Sequence, residues 1–482
     1  MVKILATLAT AAIAGLSGVD AIPTISAKGT KFFTSDGKQF FVKGVAYQLV
    51  PEDPLVTSSQ CSLDAALMKS IGVNSIRVYH VDPTANHDAC MQTFSDAGIY
   101  IWVDLDTFST QIHEGAPQWD TSQRDAFAKV MDAFHSYDNL AGFFVGNEAI
   151  TSAKGSVTAP YVKAAAHDMK AYRDSMNYRN IPIGYSAADI AGLRPMLQNY
   201  LACGNRNESI EFFSLNSYSW CGASSYQQSG YDQLYAMSQP LHIPIFMSET
   251  GCNVVRPREF KDQEAIFGQM SDFWSGSIIY EWIQEANDYG IVNYGPKVDP
   301  TSPGAPPDGF PRSGTPTPVQ PDFGNLANVW KTLSPNAVQE SAYSPSLPPV
   351  ACPAYTAGVW EVDPTAPLPT LGPVHNFPPS AVASSGRASA TATSTVTPAG
   401  TPTGSPTGSS PTGSSPTGSP TGMATSTATG TATGSATSSV TPSATASKAP
   451  TNSKAAAPDT LSRDLKRSGA AVAGIVALLA WL

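Results

Sequence analysis

Residues 140–148 read LAGFFVGNE. The run is apolar until its last two residues and rich in Phe, so it reads as a strand buried on both faces that stops at a polar edge. Apolar residues recur at helical spacing before it, at 121–137 (TSQRDAFAKVMDAFHSY), and after it, at 158–177 (TAPYVKAAAHDMKAYRDSMN). A doubly buried strand between two helices is the unit of a parallel sheet. Working outward, similar runs lie at 40–49, 75–81, 99–106, 181–187, 211–220, 243–251 and 275–282, with further helical spacing at 61–71 and 259–270. Several helical stretches open on Ser, Thr or Asp, as helix starts should. Eight strands alternating with helices predict an α/β fold, the (β/α)8 TIM barrel. An open doubly wound sheet competes, but no GxGxxG follows the first strand.

The remainder of the 482 residues does not read as globular. Only 14% of the chain is charged, against roughly 25% in an ordinary soluble domain. No charge falls between Arg387 and Lys448, where the chain is almost entirely Ser, Thr, Ala, Pro and Gly. Such a segment lacks the apolar surface that offsets the entropy of ordering, so 381–455 is predicted to be a disordered stalk, with the hydroxyls suited to O-linked sugars. Residues 1–21 carry Lys3, the apolar run ILATLATAAIAGL and small residues up to Ala21, the layout of a secretory signal. The apolar end 469–482 would reach only about 21 Å as a helix, short of a hydrocarbon core of about 30 Å. It follows a polar spacer and a cluster of small residues, the layout of a glycosylphosphatidylinositol (GPI) signal with attachment near Asn452, Ser453 or Ala455 and a propeptide over 456–482. A retained hydrophobic tail is the alternative.

Secretion makes Cys61, Cys90, Cys203, Cys221, Cys252 and Cys352 disulfide candidates rather than metal ligands, since they form no CxxC or zinc-type spacing. Spacing alone leaves their pairing open. Asn207-Glu-Ser is an N-glycosylation acceptor. The net charge of -10 and the absence of a basic stripe argue against nucleic acid. Of 38 acids and 28 bases, residues 381–482 hold two and six and the signal one of each, which leaves the rest of the chain near -14. That balance suits a neutral polysaccharide bound through rings and hydroxyls.

In a TIM barrel the chemistry sits at the C-terminal ends of the strands. Glu148 ends the fourth run and Glu249 ends the seventh, as Ser248-Glu249-Thr250. Retaining glycoside cleavage needs such a pair, one carboxyl to protonate the leaving oxygen and one to attack the anomeric carbon. A rim salt bridge is the ordinary alternative for a single Glu at a strand end. Asn147, beside the acid, can hydrogen-bond a sugar 2-hydroxyl.

These endings resemble the large clan of retaining glycosidases built on this barrel. More closely, PTISAKGTKFF, FVKGVAYQ, VNSIRVYHVDP, GFFVGNE, IPIGYSAAD, FFSLNSYSWCG and FMSETGCN are similar to the fungal β-1,3-glucanosyltransferases of glycoside hydrolase family 72. The resemblance runs from about Pro23 to Trp282. It implies a cell-wall enzyme, held by a GPI anchor on the outer face of the plasma membrane. Such an enzyme cleaves a β-1,3-glucan internally and transfers the new reducing end to another chain, with no cofactor.

By motif, the resemblance makes Glu148 the acid/base and Glu249 the nucleophile. It places Tyr79, Asn147, Asp189, Arg194, Tyr280 and the segment from Asp106 to Glu114 along the donor site. It further implies the pairs Cys61–Cys90, Cys203–Cys352 and Cys221–Cys252.

Tyr79 and Tyr280 are placed to orient the nucleophile or lie under a sugar, or else are core aromatics. Tyr218, Trp220, Tyr289 and Tyr294 are candidate stacking platforms. Asp189 and Arg194 are close enough in sequence to pair with each other instead of touching sugar. The catalytic barrel is expected over 22–340, with a packed extension over 341–380. The Pro-rich stretch 296–321 is expected to loop out before a last helix at 322–335. A hydrolytic endo-β-glucanase and a non-catalytic wall glycoprotein are the competing functions.

Overall fold

A computed structural model describes residues 21–48 and 53–372. The expected signal (apart from Ala21), the stalk, the attachment residues Asn452, Ser453 and Ala455, and the propeptide lie outside the described residues.

A small antiparallel sheet comes first: β1 (Ile25–Lys28), β2 (Lys31–Thr34) and β3 (Gln39–Phe40). The barrel strands follow as β4 (Val42–Ala46), β5 (Ser75–Val78), β6 (Tyr100–Asp104), β7 (Leu140–Asn147), β8 (Ile183–Ala188), β9 (Phe212–Asn216), β10 (Ile245–Thr250) and β11 (Trp274–Ile279). They close in sequence order, each parallel to its neighbours, with β11 returning to β4. The helices are α1 (Ser58–Ser70), α2 (Asp88–Ala97), α3 (Thr121–Phe134), α4 (Ala159–Ser175), α5 (Arg194–Ala202), α6 (Tyr231–Ser238), α7 (Asp262–Ile266) and α8 (Asp322–Thr332). Every expected run overlaps one barrel strand, with β8 ending one residue after its run and β11 starting one residue before. The stretch 259–270 gives only the short α7, while α2, α5 and α6 were not singled out from the sequence.

Local chemistry sets several boundaries. The Asp120 side chain accepts from the Gln123 N–H while Gln123 reaches back to Asp120, a reciprocal capping box that starts α3. Gly98, in the left-handed region at φ 78°, ends α2 and turns the chain into β6.

Period-two alternation divides the barrel strands between two cores. Ile76, Val78, Ile101 and Val103 face outward into the layer shared with the helices. Trp102, Phe144, Phe212, Phe246 and Ile278 fill the interior. Phe32, from the small N-terminal sheet, packs edge-on against Trp102 at 5.3 Å, Phe212 at 6.0 Å and Phe246 at 6.0 Å. The hairpin therefore stoppers the barrel floor.

Three disulfides, Cys61–Cys90, Cys203–Cys352 and Cys221–Cys252, use all six cysteines. The second ties the segment after α8 back to α5. Trp360 of that segment is fully buried against Tyr200, at 5.6 Å between rings, and the Glu361 N–H donates to Ser156. The Pro-rich stretch runs largely exposed and is pinned at several points. β12 (Val292–Asn293) pairs with β13 (Thr317–Pro318), Gly314 exchanges two hydrogen bonds with Gln60, and Asp308 takes the Ala286 N–H. Among the described residues no helix is long and apolar enough to cross a membrane.

Phe32 is wholly buried and lies at the centre of the floor contacts. Phe32→Ala is expected to destabilise the barrel by about 3–5 kcal/mol. Denaturant unfolding followed by tryptophan fluorescence measures this.

Candidate active site

Above the aromatic floor the inward positions turn polar. Arg77 on β5 is completely buried. Its guanidinium lies between the rings of Phe144 and Tyr79, with Cζ 4.3 Å from each centroid. Nε and Nη2 grip both oxygens of Asp104 on β6, at 3.0 and 2.7 Å. Nη1 donates to Ser186 on β8 at 3.0 Å, and Nη2 to the Asn147 side-chain oxygen at 3.1 Å. Nη1 also lies 3.5 Å from Glu249 Oε1. A buried charge needs this degree of pairing to be tolerated.

The layer continues through Asn216 on β9. Its Nδ2 donates to Asn147 Oδ1 at 3.0 Å and to Glu148 Oε1 at 2.9 Å. Its oxygen accepts from Ser186 at 3.0 Å and Ser248 at 2.7 Å. With Arg77 and Asn216 both donating to the Asn147 oxygen, its amide rotamer is fixed and its NH₂ turned away from them. Glu148 follows β7 with a positive φ of 49°, held by its own N–H to the Ser186 carbonyl at 2.9 Å. That conformation costs on the order of 1–3 kcal/mol for a residue other than glycine. Burial raises the Glu148 pKa above the ordinary carboxyl value, while Asn216 and the Arg77 charge oppose the rise.

Glu249 on β10 is only 7% exposed. Oε1 accepts the Tyr79 hydroxyl at 3.0 Å and Oε2 accepts the Tyr218 hydroxyl at 2.7 Å. Burial pushes its pKa up to about 7, helped by the Glu148 charge and opposed by Arg77, Tyr218 and Tyr79. All its polar contacts present donors, which favour the charged carboxylate. Burial and the Glu249 charge raise both phenols well above their ordinary pKa, so they remain protonated donors.

The other expected residues divide. Tyr280, at the end of β11, packs edge-on to Tyr218 at 6.2 Å. Asp189 pairs with Arg194, the first residue of α5, and accepts the Ser217 hydroxyl at 2.6 Å, so the two residues do meet each other. Asp106 is buried beside Asp104, and burial together with that neighbour's charge pushes its pKa up to about 8. Glu114 uses both oxygens on the loop after Glu148, taking the Thr151 N–H at 3.0 Å and the hydroxyls of Thr151 and Ser152. Asn207 is exposed.

Two stacking expectations are corrected. Tyr294 is buried, and its hydroxyl contacts Trp282 Nε1 at 3.1 Å within the network around buried Asp64, so it belongs to the core. Tyr289 is 5% exposed and packs on Tyr280 and Tyr218, making it part of a wall instead of an open platform. Trp220 rests edge-on against Tyr231 at 5.2 Å. Arg77, Asp104, Ser186, Asn216 and Ser248 were missed. Their signal is a polar residue at an inward position of an apolar strand.

A closed parallel barrel whose fourth and seventh strands end in two linked carboxylates is the architecture of a glycoside-cleaving enzyme. The sequence matches the glycoside hydrolase family 72 glucanosyltransferases over residues 15–301, and the chain belongs to that family. It is 39% identical over 350 residues to protein EPD1 of Candida maltosa, covering 70% of this chain and 60% of that one. It is 37% identical over 362 residues to the 1,3-beta-glucanosyltransferase gas2 of Schizosaccharomyces pombe, covering 71% and 74%. A crystallised mutant of Saccharomyces cerevisiae Gas2p, in complex with laminaritetraose and laminaripentaose, superposes with a TM-score of 0.64 at 37% identity. That alignment covers 72% of this chain and 74% of the solved one. The match to EPD1 thus spans less than two thirds of that relative's length.

An attacking Glu249 must be ionised, so activity falls as pH drops through its pKa. The Tyr218 hydroxyl lowers that pKa, and removing it raises it. Tyr218→Phe is therefore expected to move the acidic limb of the kcat/KM–pH profile upward by roughly one unit, as read from the rate at which a laminari-oligosaccharide donor is consumed, followed by chromatography across pH.

Proposed function

We propose that this protein is a 1,3-β-glucanosyltransferase acting by retaining double displacement. The observation that carries the reading is the pair Glu148 and Glu249 on one polar layer, with Glu249 held by two phenols and Glu148 by Asn216. Glu148, whose pKa burial raises, gives its proton to the glycosidic oxygen as Glu249 attacks the anomeric carbon. The chain bearing the old reducing end leaves, and the retained part is bound as an ester to Glu249. Glu148, now a carboxylate, takes the proton from the 3-hydroxyl of an acceptor glucan. That oxygen displaces Glu249, and one β-1,3 bond replaces the one broken. The Asn147 amide donates to the sugar 2-hydroxyl. Tyr79, Asp106, Glu114, Asp189, Arg194, Tyr218 and Tyr280 line or brace the donor side, with Asp189 and Arg194 acting as a pair.

Transfer in preference to hydrolysis is supported by likeness to relatives named 1,3-beta-glucanosyltransferases. Three disulfides and an exposed Asn207 fit a secreted wall enzyme. A cleaved signal, a Ser/Thr-rich stalk and a GPI anchor would then hold it at the outer face of the plasma membrane.

Incubation with reduced laminari-oligosaccharides is expected to give products both shorter and longer than the substrate, resolved by mass spectrometry. Shorter products alone would identify a hydrolase, and unchanged substrate a structural protein. Glu249→Gln is expected to abolish both product classes while leaving the unfolding temperature nearly unchanged.

A further inference from the structure

Arg258 lies in the loop between β10 and α7, and its side chain is 1% exposed. Nε donates to Asp322 Oδ2 at 2.8 Å, and the Arg258 main-chain N–H donates to Asp322 Oδ1 at 3.1 Å. Nη1 donates to the main-chain carbonyl of Tyr280 at 3.1 Å, and Nη2 to that of Tyr289 at 2.7 Å. One planar fork thus joins the first residue of α8 to the two segments that carry the tyrosine wall. Gly251, at φ +117°, leaves the room this needs, because a Cβ there would meet the Tyr280 oxygen at 3.3 Å and Nη1 at 3.6 Å.

The wall leads to the reacting carboxylate. Tyr280 and Tyr289 meet edge-on at 5.3 Å, and Tyr218 packs against them at 6.2 and 5.5 Å. The Tyr218 hydroxyl then donates to Glu249 at 2.7 Å. We propose that Arg258 is a positioning residue: by clamping the Tyr280 and Tyr289 carbonyls against Asp322, it holds the wall that seats the Tyr218 hydroxyl on Glu249. This rests on Glu249 acting as the nucleophile. A lysine would keep the charge but present a single flexible ammonium, which lacks the planar fork that reaches all three segments together.

The groups facing Glu249 are Arg77 from β5, Tyr79 just after it, Glu148 after β7, Tyr218 after β9, and Tyr280, Glu281 and Tyr289 after β11. Arg256, Asp322 and Tyr289 face Arg258. All of them remain in Arg258→Lys, so a change in Glu249 titration reports the seating of Tyr218. Arg258→Lys, verified as folded by circular dichroism, is expected to move the acidic limb of kcat/KM upward by roughly one pH unit. The double variant Arg258→Lys/Tyr218→Phe is expected to move it no further than Tyr218→Phe alone. Asp322→Asn, which removes the counter-ion and leaves the fork, is expected to shift the limb in the same direction by less.

An unmoved limb in a folded Arg258→Lys protein, or an additive shift in the double variant, overturns the proposal. Failure of both Arg258→Lys and Asp322→Asn to fold also overturns it and leaves the pair a folding element. Retained transfer by Glu249→Gln would instead remove the nucleophile assignment itself.

Discussion

The site depends on one buried cation. Arg77 has no solvent to hydrate it, so the surrounding strands must satisfy its donors, and they do so with Asp104, Ser186, Asn147 and Glu249. Removing Asp104, which grips the guanidinium with both oxygens, would cost about 3–5 kcal/mol, because the buried charge would be stranded. The constraint propagates upward. Asn147 is fixed because Arg77 takes its oxygen, Asn216 is fixed between Asn147 and the two serines, and Glu148 is fixed by Asn216.

Below this layer the barrel is apolar. Phe32, Trp102, Phe144, Phe212 and Phe246 fill the floor, and low polarity beneath the carboxylates strengthens each interaction above it. The same burial raises the pKa of Glu148 and Glu249 together, which their roles cannot both use. What separates them is the number of donors. Glu249 has two phenols and a guanidinium close by, which favour its charged form, while Glu148 accepts one amide N–H.

The eight strands and both carboxylates were legible because they rest on local pattern. Runs such as LAGFFVGNE carry their own burial signature, and a TIM barrel assigns function to strand ends. The supporting layer was harder to see. Arg77 inside SIRVYHV and Asn216 inside FFSLNS are single polar residues in apolar runs, and only the closed barrel shows that they converge. The N-terminal sheet escaped because its strands are two to four residues long, too short for periodicity to speak. Tyr294 was misread because its partner network centres on Asp64 in α1, far away in sequence. The points that pin the Pro-rich stretch were equally hidden, since Gln60, which holds Gly314, is remote in sequence.

The central claim is that Glu249, held as a carboxylate, bonds covalently to the donor sugar. A 2-deoxy-2-fluoro laminari-oligosaccharyl fluoride should load the enzyme readily and turn over slowly, so that the ester accumulates. Peptide mass mapping of the trapped protein is expected to place the added sugar on Glu249, with no adduct in Glu249→Gln. A label on Glu148, or full inactivation with no covalent species, would contradict the account.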